Sequence, residues 1–422
     1  MNPVLASRHA PSFALIQAHF VAGLLGACLF GAGLAWASPA LEGHFFQGHL
    51  LGLVHLAVLG WLLPIAVGAM HQLVPVVFEV PVRSERLAWI AFALYLVGAA
   101  GLIAGIWTCS TGPAFAAAAA LLAAAIGLYA VNLLLTLART KTRSLTGAFV
   151  VAALLWLIFA ASLGLALAIH LHAPWLATNH LQLLRVHAHA AGVGFFALLI
   201  MGVAFRLLEM FLLAYGAPER AGWAAFGCTN AGLALFTLGS WRMAEGIAAA
   251  GALAIGVGIA CFLAQVRAIH ARRTKRRGDT AWHLTFASFA HLAVVGALGI
   301  VLVVLDVGEP LRGRLILAYG VLAIPGFVGS VVVGQLYKIL PFLVWLHRFA
   351  PFVGIKKVPS ASEILPEAPR RAQAAAMQAG LAILALGIVA NAPWLRSVGG
   401  LIFAASSLFA ARNFAVILRS RP

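Results

Sequence analysis

The sequence predicts an all-α integral membrane protein, with twelve transmembrane helices in three pseudo-symmetric four-helix units. Three observations predict it. The 422-residue chain is 63% hydrophobic and 9% charged, with a mean hydropathy of +1.01, more apolar surface than a soluble domain can bury. Its apolar residues fall into runs that reach the ~20 residues needed to cross a bilayer. A glycine-centred motif recurs three times, once in every four of these runs.

In chain order the expected spans are 12–37, 49–77, 86–108, 113–138, 146–170, 182–213, 221–241, 244–267, 281–305, 314–346, 372–392 and 397–417. The first run is too long for the apolar core of a signal peptide and has no clear cleavage site, so it reads as a span. Ala116 to Ala125 is alanine-rich, which suits close packing against a neighbouring helix. The longest polar segments are 268–280 and 347–371. The second carries Pro351, Pro359, Pro366 and Pro369 and reads as a flexible connection. Neither reads as a separate domain, so residues 1–422 form a single membrane domain.

The net charge of +17 comes from short loops, and its distribution is topological. The N-terminus, the even-numbered loops and the C-terminus hold 23 of the 28 Lys and Arg residues. By the positive-inside rule both termini are then cytoplasmic, as for a multi-pass protein of a bacterial inner membrane. The partner this charge implies is the lipid bilayer, and no nucleic acid is needed to explain it. Cys28, Cys109, Cys228 and Cys261 are isolated. With no C-x-x-C-H and no C-x-x-C, the chain offers neither covalent c-type haem attachment nor a thiol zinc site.

The repeat is read from the second, sixth and tenth spans. Gly60-Trp61, Gly194-Phe195 and Gly326-Phe327 open it, and Gly68, Gly202 and Gly334 follow eight residues later. Gln72, Arg206 and Lys338 stand four further on, then Pro75, Glu209 and Pro341. The repeating units are about 1–142, 143–277 and 278–422. Ala18-His19-Phe20 and Ala290-His291-Leu292 match on the first and ninth spans. In membrane proteins, binding sites often lie at repeat interfaces.

His55 precedes Gly60 by the same five residues that separate His189 from Gly194; the third unit has Val321 in that place. Both histidines lie about 10 Å inside their spans at ~1.5 Å per residue. Ionisable residues at membrane depth are costly and mark sites. One imidazole on each of two related spans fits a metal or haem held between them; the plainer alternative is a hydrogen-bonded packing role for each. Arg185, one turn above His189, could pair with a haem propionate. His187 points about 200° away from His189, either towards a second haem or copper or into a hydrogen bond. His49 and His180 enter the two ligand-bearing spans. They read as interfacial histidines or, alternatively, as members of a copper site capping the haem. His19, His71 and His291 form a cytoplasmic-half set, either a second metal or haem site or hydrogen-bonding residues.

Here the residues reach a family. The sixth span, H187-A-H189-x4-G194-F195-x6-G202, resembles the haem-ligating helix of the haem-copper oxidase catalytic subunit, especially the C-type oxidases. The second span, H55-x5-W61-L-L-P-x3-G68-x6-P75, is similar to the second helix of bacterial nitric-oxide reductases. The resemblance implies a twelve-helix pseudo-threefold fold. It implies His55 and His189 as the two ligands of a low-spin b-type haem and His187 as a ligand of a second haem. The usual copper-site signature is absent: there is no His-Pro-Glu-Val-Tyr type segment and no His-His pair on the seventh span.

The expected function is therefore that of a haem-binding inner-membrane protein related to this family. It would hold one or two b-type haems, with copper as an alternative second metal, for electron transfer or for binding nitric oxide or oxygen. A redox partner protein or quinol would supply electrons. The alternatives are a terminal oxygen or nitric-oxide reductase with an unrecognised second metal, and a transporter of haem or copper. Oligomeric state is not legible in the sequence.

Overall fold

The computed structural model describes residues 9–42, 44–141, 143–176, 179–275 and 278–422. Arg8, Arg276 and Arg277 of the charge tally, and the repeat boundaries at 142 and 277, lie outside the described residues. The described residues form helices and turns with no strand. In order the long helices are α1 Phe13–Ala37, α2 Gly48–Val77, α3 Glu85–Trp107, α4 Pro113–Leu137, α5 Leu145–His172, α6 His180–Leu212, α7 Arg220–Arg242, α8 Glu245–Ala271, α9 Thr280–Val304, α10 Leu311–Phe352, α11 Glu367–Val389 and α12 Pro393–Arg419. Among the described residues, eleven are long and apolar enough to cross a membrane. The exception, α7, carries Thr229, Asn230, Thr237 and Ser240 along its length. These apolar helices fit a helical protein of the lipid bilayer, where every backbone group must be satisfied within its own segment.

Local sequence sets the helix starts. Ser84 Oγ accepts from the Leu87 N–H at the start of α3, Ser144 Oγ from Gly147 at α5, and Asn179 Oδ1 from Leu181 at α6. Each supplies an acceptor to an otherwise orphaned first-turn donor. Pro113 and Pro393 occupy the first helical position of α4 and α12, where a missing N–H costs nothing.

Three helices depart from regular α geometry at one place. A π-helical segment covers Leu56–Leu62 in α2, Ala190–Ala197 in α6 and Leu322–Gly329 in α10. Each begins directly after His55, His189 or Val321, and each has its motif glycine (Gly60, Gly194, Gly326) as fifth residue. The extra residue in a π turn widens the helix and re-aims the side chains that follow. Such turns are rare and concentrate at functional sites.

The chain divides into two compact units. The first comprises Met1–Leu73, Gly278–His291 and Glu309–Pro422. Here α1 and α2 touch backbone to backbone: a Cβ on Gly26 would stand 1.9 Å from the Gly60 carbonyl oxygen. The π segments of α2 and α10 also meet, with the Trp61 indole 2.6 Å from where a Cβ on Gly329 would be. At the start of α12 the Arg396 side chain, 1% exposed, gathers the chain after α1. It donates to the carbonyls of Leu41 and Pro39 and to the Glu42 carboxylate, each at 3.0 Å. Arg396→Met leaves those acceptors without their charged donor. It is expected to cost about 3 kcal/mol, since single hydrogen bonds to a charged group contribute about 1.5–3 kcal/mol. The thermal midpoint in detergent reads the loss.

Residues 347–371, expected to be a flexible connection, are tied down. The Trp345 indole donates to the Pro359 carbonyl at 2.8 Å, and Arg370 donates to the carbonyls of Ser362 and Leu365. Glu363 accepts from the Ser360 backbone N–H at 2.7 Å, and bonds from Ser360 hold its carboxyl below the ordinary range. The helix α11 starts at Glu367, five residues before the apolar run. Its polar first turns are satisfied inside the unit: Tyr337 donates to Gln373 Oε1 at 3.1 Å, and Asn413 to the Tyr337 hydroxyl at 3.0 Å.

The second unit comprises Val74–Arg277 and Leu292–Gly308. The alanine-rich stretch of α4 packs as expected, with Ala118 2.7 Å from where a Cβ on Gly101 would be. On α6, Gly202 admits the Phe149 side chain of α5, and its carbonyl accepts from Thr146 Oγ1 at 3.0 Å. Phe236, near the end of α7, reaches α6 and meets the His189 ring.

Candidate functional site

His55 and His189 share one local geometry. In each, Nδ1 lies 2.8 Å from the carbonyl oxygen four residues earlier, Leu51 for His55 and Arg185 for His189. A carbonyl can only accept, so each Nδ1 carries the proton and each Nε2 carries the lone pair. This is the usual support for a metal-ligating imidazole: the bond fixes the tautomer and the ring orientation and raises the basicity of the other nitrogen. Both residues are half-buried, and both are the last residue before a π segment. His55 belongs to the first unit and His189 to the second.

Around His189 the second unit places an aromatic ring and a guanidinium. The Phe236 ring of α7 lies 4.5 Å from the imidazole, tilted by 42°. The Arg185 guanidinium sits over the same Phe236 ring, 4.6 Å from its centroid, a cation–π arrangement. Arg185 also reaches the Glu245 carboxylate of α8 at 3.5 Å, a solvent-side pair of the kind worth about 0–1 kcal/mol. Arg185, expected as a propionate partner, lies on these protein groups, and its backbone carbonyl positions His189. Gly192, one turn beyond His189, borders open space: no atom lies within 4 Å of where its Cβ would be.

His187 faces another way. Its Nδ1 donates to the Ala160 carbonyl of α5 at 3.0 Å, and its ring lies against Gly164, whose Cβ would be 2.8 Å from Cε1. The bond fits the hydrogen-bonding expectation for His187, and its form, Nδ1–H to a carbonyl, is the one also seen at His55 and His189. Glycine at position 164 is what lets the imidazole lie against the α5 backbone.

The interfacial histidines make ring contacts. Exposed His49 meets Trp36 edge-on at 5.4 Å. His180 stacks on His170 at 5.5 Å and 27°, while His170 Nδ1 accepts from the backbone N–H groups of Trp175 and Leu176. Among the described residues, no group of three or more His, Cys, Asp or Glu side chains is placed to hold a metal ion. The capping copper site expected from His49 and His180 therefore gains no ligand set here.

Of the cytoplasmic-half set, the structure brings two together. His19 of α1 and His71 of α2 have ring centroids 5.8 Å apart with a 33° tilt. His291 stands apart from them in register. A Cβ on Gly68 would be 2.8 Å from His19 Cβ, whereas His291 lies 3.3 Å from where a Cβ on Gly326 would be. Gly326 is the repeat counterpart of Gly60, not of Gly68. The match of Ala18-His19-Phe20 to Ala290-His291-Leu292 is thus one of sequence only. Gly334, the counterpart of Gly68, meets Leu284 Cβ, so His291 sits seven residues beyond the place of His19, about 10 Å along a helix.

Sequence reasoning missed the π segments and the partners Phe236 and Glu245. The constant five-residue step from His55, His189 and Val321 to glycine was the available signal for the first. Nothing in local sequence points to the others, which arrive from separate helices. No protein-family model and no curated protein matches this chain.

Proposed function

We propose that the protein is a haem-binding membrane protein in which His55 and His189 would hold a b-type haem. The pairing is drawn from their equivalence in the repeat. The observation that carries it is the shared Nδ1–H bond to the carbonyl four residues back, on two residues that each open a π segment. Two neutral imidazoles with Nε2 as the ligating atom suit iron. A haem held by these two residues would supply a one-electron couple, which suits electron transfer. The residues do the rest: the carbonyls of Leu51 and Arg185 set the ring angles, and Phe236 covers one face of the His189 imidazole.

In this reading all twelve long helices span the membrane as three four-helix units, with both termini on the cytoplasmic side of a bacterial inner membrane. Support for the units comes from the π segments that recur in α2, α6 and α10. The protein is a divergent relative of the haem-copper oxidase catalytic subunit, and its electrons come from a quinol or a redox protein. The purified protein is expected to show a Soret band and a sharp α-band on reduction. A preparation that stays colourless when expressed with ample haem removes this reading and favours transport. Copper in equal stoichiometry with haem moves it towards an oxygen or nitric-oxide reductase.

A further inference from the structure

The helix α12 ends at a basic cavity that the haem reading leaves unused. The cavity, of about 660 Å³, is lined by Arg348, Leu418, Arg419, Arg421 and Pro422, all within the first unit. Three of the five are arginines, and none has an acidic side chain. Arg348 comes from the last turns of α10 and is half-buried. Its Nη1 donates to the Leu418 carbonyl and, at 3.1 Å, to the Ser420 carbonyl. A helix C-terminus ordinarily repels an anion, because its last carbonyls carry partial negative charge. Here a guanidinium covers them. Arg419 and Arg421 are exposed, and among the described residues none of the three arginines forms an ion pair. Uncompensated positive charge therefore borders a space of the size that small ligands occupy.

The face of α12 that leads to the cavity suits acyl chains. Leu401, Leu408, Arg412 and Arg419 fall within about 40° of one another around the helix, at ~100° per residue. Leu401 and Leu408 are 61% and 62% exposed, and Arg412 and Arg419 are exposed as well. One line along the helix thus runs from apolar to basic as the span ends. Just beyond Arg348, Val353 and Ile355 are exposed and Lys356 and Lys357 follow. Exposed apolar side chains beside lysines are the composition of a segment lying in the headgroup layer.

We propose that this cavity binds the headgroup phosphate of one anionic phospholipid, whose acyl chains lie along the stripe of Leu401 and Leu408. A guanidinium offers a fork of donors that matches phosphate oxygens, and arginine supplies all the charge around the cavity. A zwitterionic lipid brings a cation that the same arginines repel. The stripe favours a lipid over a soluble phosphate, which has no chain to lay on it.

The test supplies the full chain, in mild detergent, with equal amounts of phosphatidylglycerol and phosphatidylcholine, and counts the lipids retained per chain by native mass spectrometry. One phosphatidylglycerol is expected to stay bound in preference to phosphatidylcholine. Each basic residue near an anionic membrane surface contributes about a fivefold gain, so Arg419→Gln with Arg421→Gln is expected to lower the preference about 10–30-fold. Arg83→Gln with Arg86→Gln removes the same charge ahead of α3 and is expected to leave the preference in place. Size-exclusion profiles check folding. If the first double variant aggregates, its single variants replace it, with about a fivefold loss expected of each. Inorganic phosphate is expected to displace no more lipid than chloride of the same ionic strength. The proposal is overturned by equal retention of the two lipids, by a preference that survives the loss of Arg419 and Arg421, or by one that both double variants lower alike. It is also overturned if phosphate displaces the lipid where chloride does not, which would make the cavity a site for a soluble anion. Haem absorbance is a separate readout, so failure here leaves the haem assignment untouched.

Discussion

Gly26→Val is expected to leave almost no folded, monodisperse protein. A Cβ at this position would lie 1.9 Å from the Gly60 carbonyl oxygen and 2.2 Å from its carbonyl carbon. Favourable non-bonded contact is at about 3.5–4.0 Å, so the helices must separate by more than 1 Å. The atoms in the way are backbone, and no rotamer change relieves them. Overpacking costs typically 1–3 kcal/mol where side chains can give; here both partners are helix backbones, one inside a π turn, and the cost is expected to exceed ~3 kcal/mol. Gly26→Ala should already lower the thermal midpoint, because the first carbon makes the clash. Gly127→Ala on α4 is the control. Nothing lies within 4 Å of its Cβ position, so the midpoint should hold or rise, as a helical alanine gains up to ~1 kcal/mol over glycine. Equal behaviour of Gly26→Ala and Gly127→Ala in size-exclusion yield and thermal midpoint would show that α1 and α2 do not meet as described. The same contact lies five residues beyond His55, so a displaced α2 carries that imidazole with it.

Helix placement was legible because hydropathy and helix length measure the same physical demand, the thickness of the bilayer core. The span read at 113–138 is the helix Pro113–Leu137, and that at 182–213 is His180–Leu212. The reading failed where a helix outruns its apolar stretch. The helix α11 was expected from 372, yet begins at Glu367, because Arg370 and Gln373 find partners inside the protein and need no lipid-facing apolarity. The tenth span was expected to end at 346 and continues through a second π segment, Trp345–Phe349, and a 3-10 turn to Phe352. In the candidate site, the sequence singles out His55 and His189 by spacing alone. It does not show that both rings are held from Nδ1, because that bond depends on rotamer. The error over His291 has the same origin: in an apolar helix many small-residue registers look alike, and only the packing of Gly326 and Gly68 distinguishes them.

Replacing either proposed ligand should abolish the low-spin haem spectrum. In His55→Ala and in His189→Ala the proposed haem would lose one of its two protein ligands, and the sharp reduced α-band is expected to disappear in each. Added imidazole should restore it in both, since the alanine frees the volume of a ring and the lost nitrogen can return as a small molecule. His187→Ala supplies the contrast. That side chain lies on Gly164 and donates to the Ala160 carbonyl, so its removal should lower thermal stability by about 1 kcal/mol while the low-spin band persists. Phe236→Ala tests the support around one ligand. It uncovers a face of the His189 ring and removes the platform beneath Arg185, so haem retention should weaken about 10–100-fold, the range seen when groups behind a ligand are lost, with the band position kept. A low-spin band that survives His55→Ala or His189→Ala removes that residue from the iron. If it survives both, the paired Nδ1 bonds hold packing residues, and the recurring π turns are a feature of the repeat rather than of a haem site.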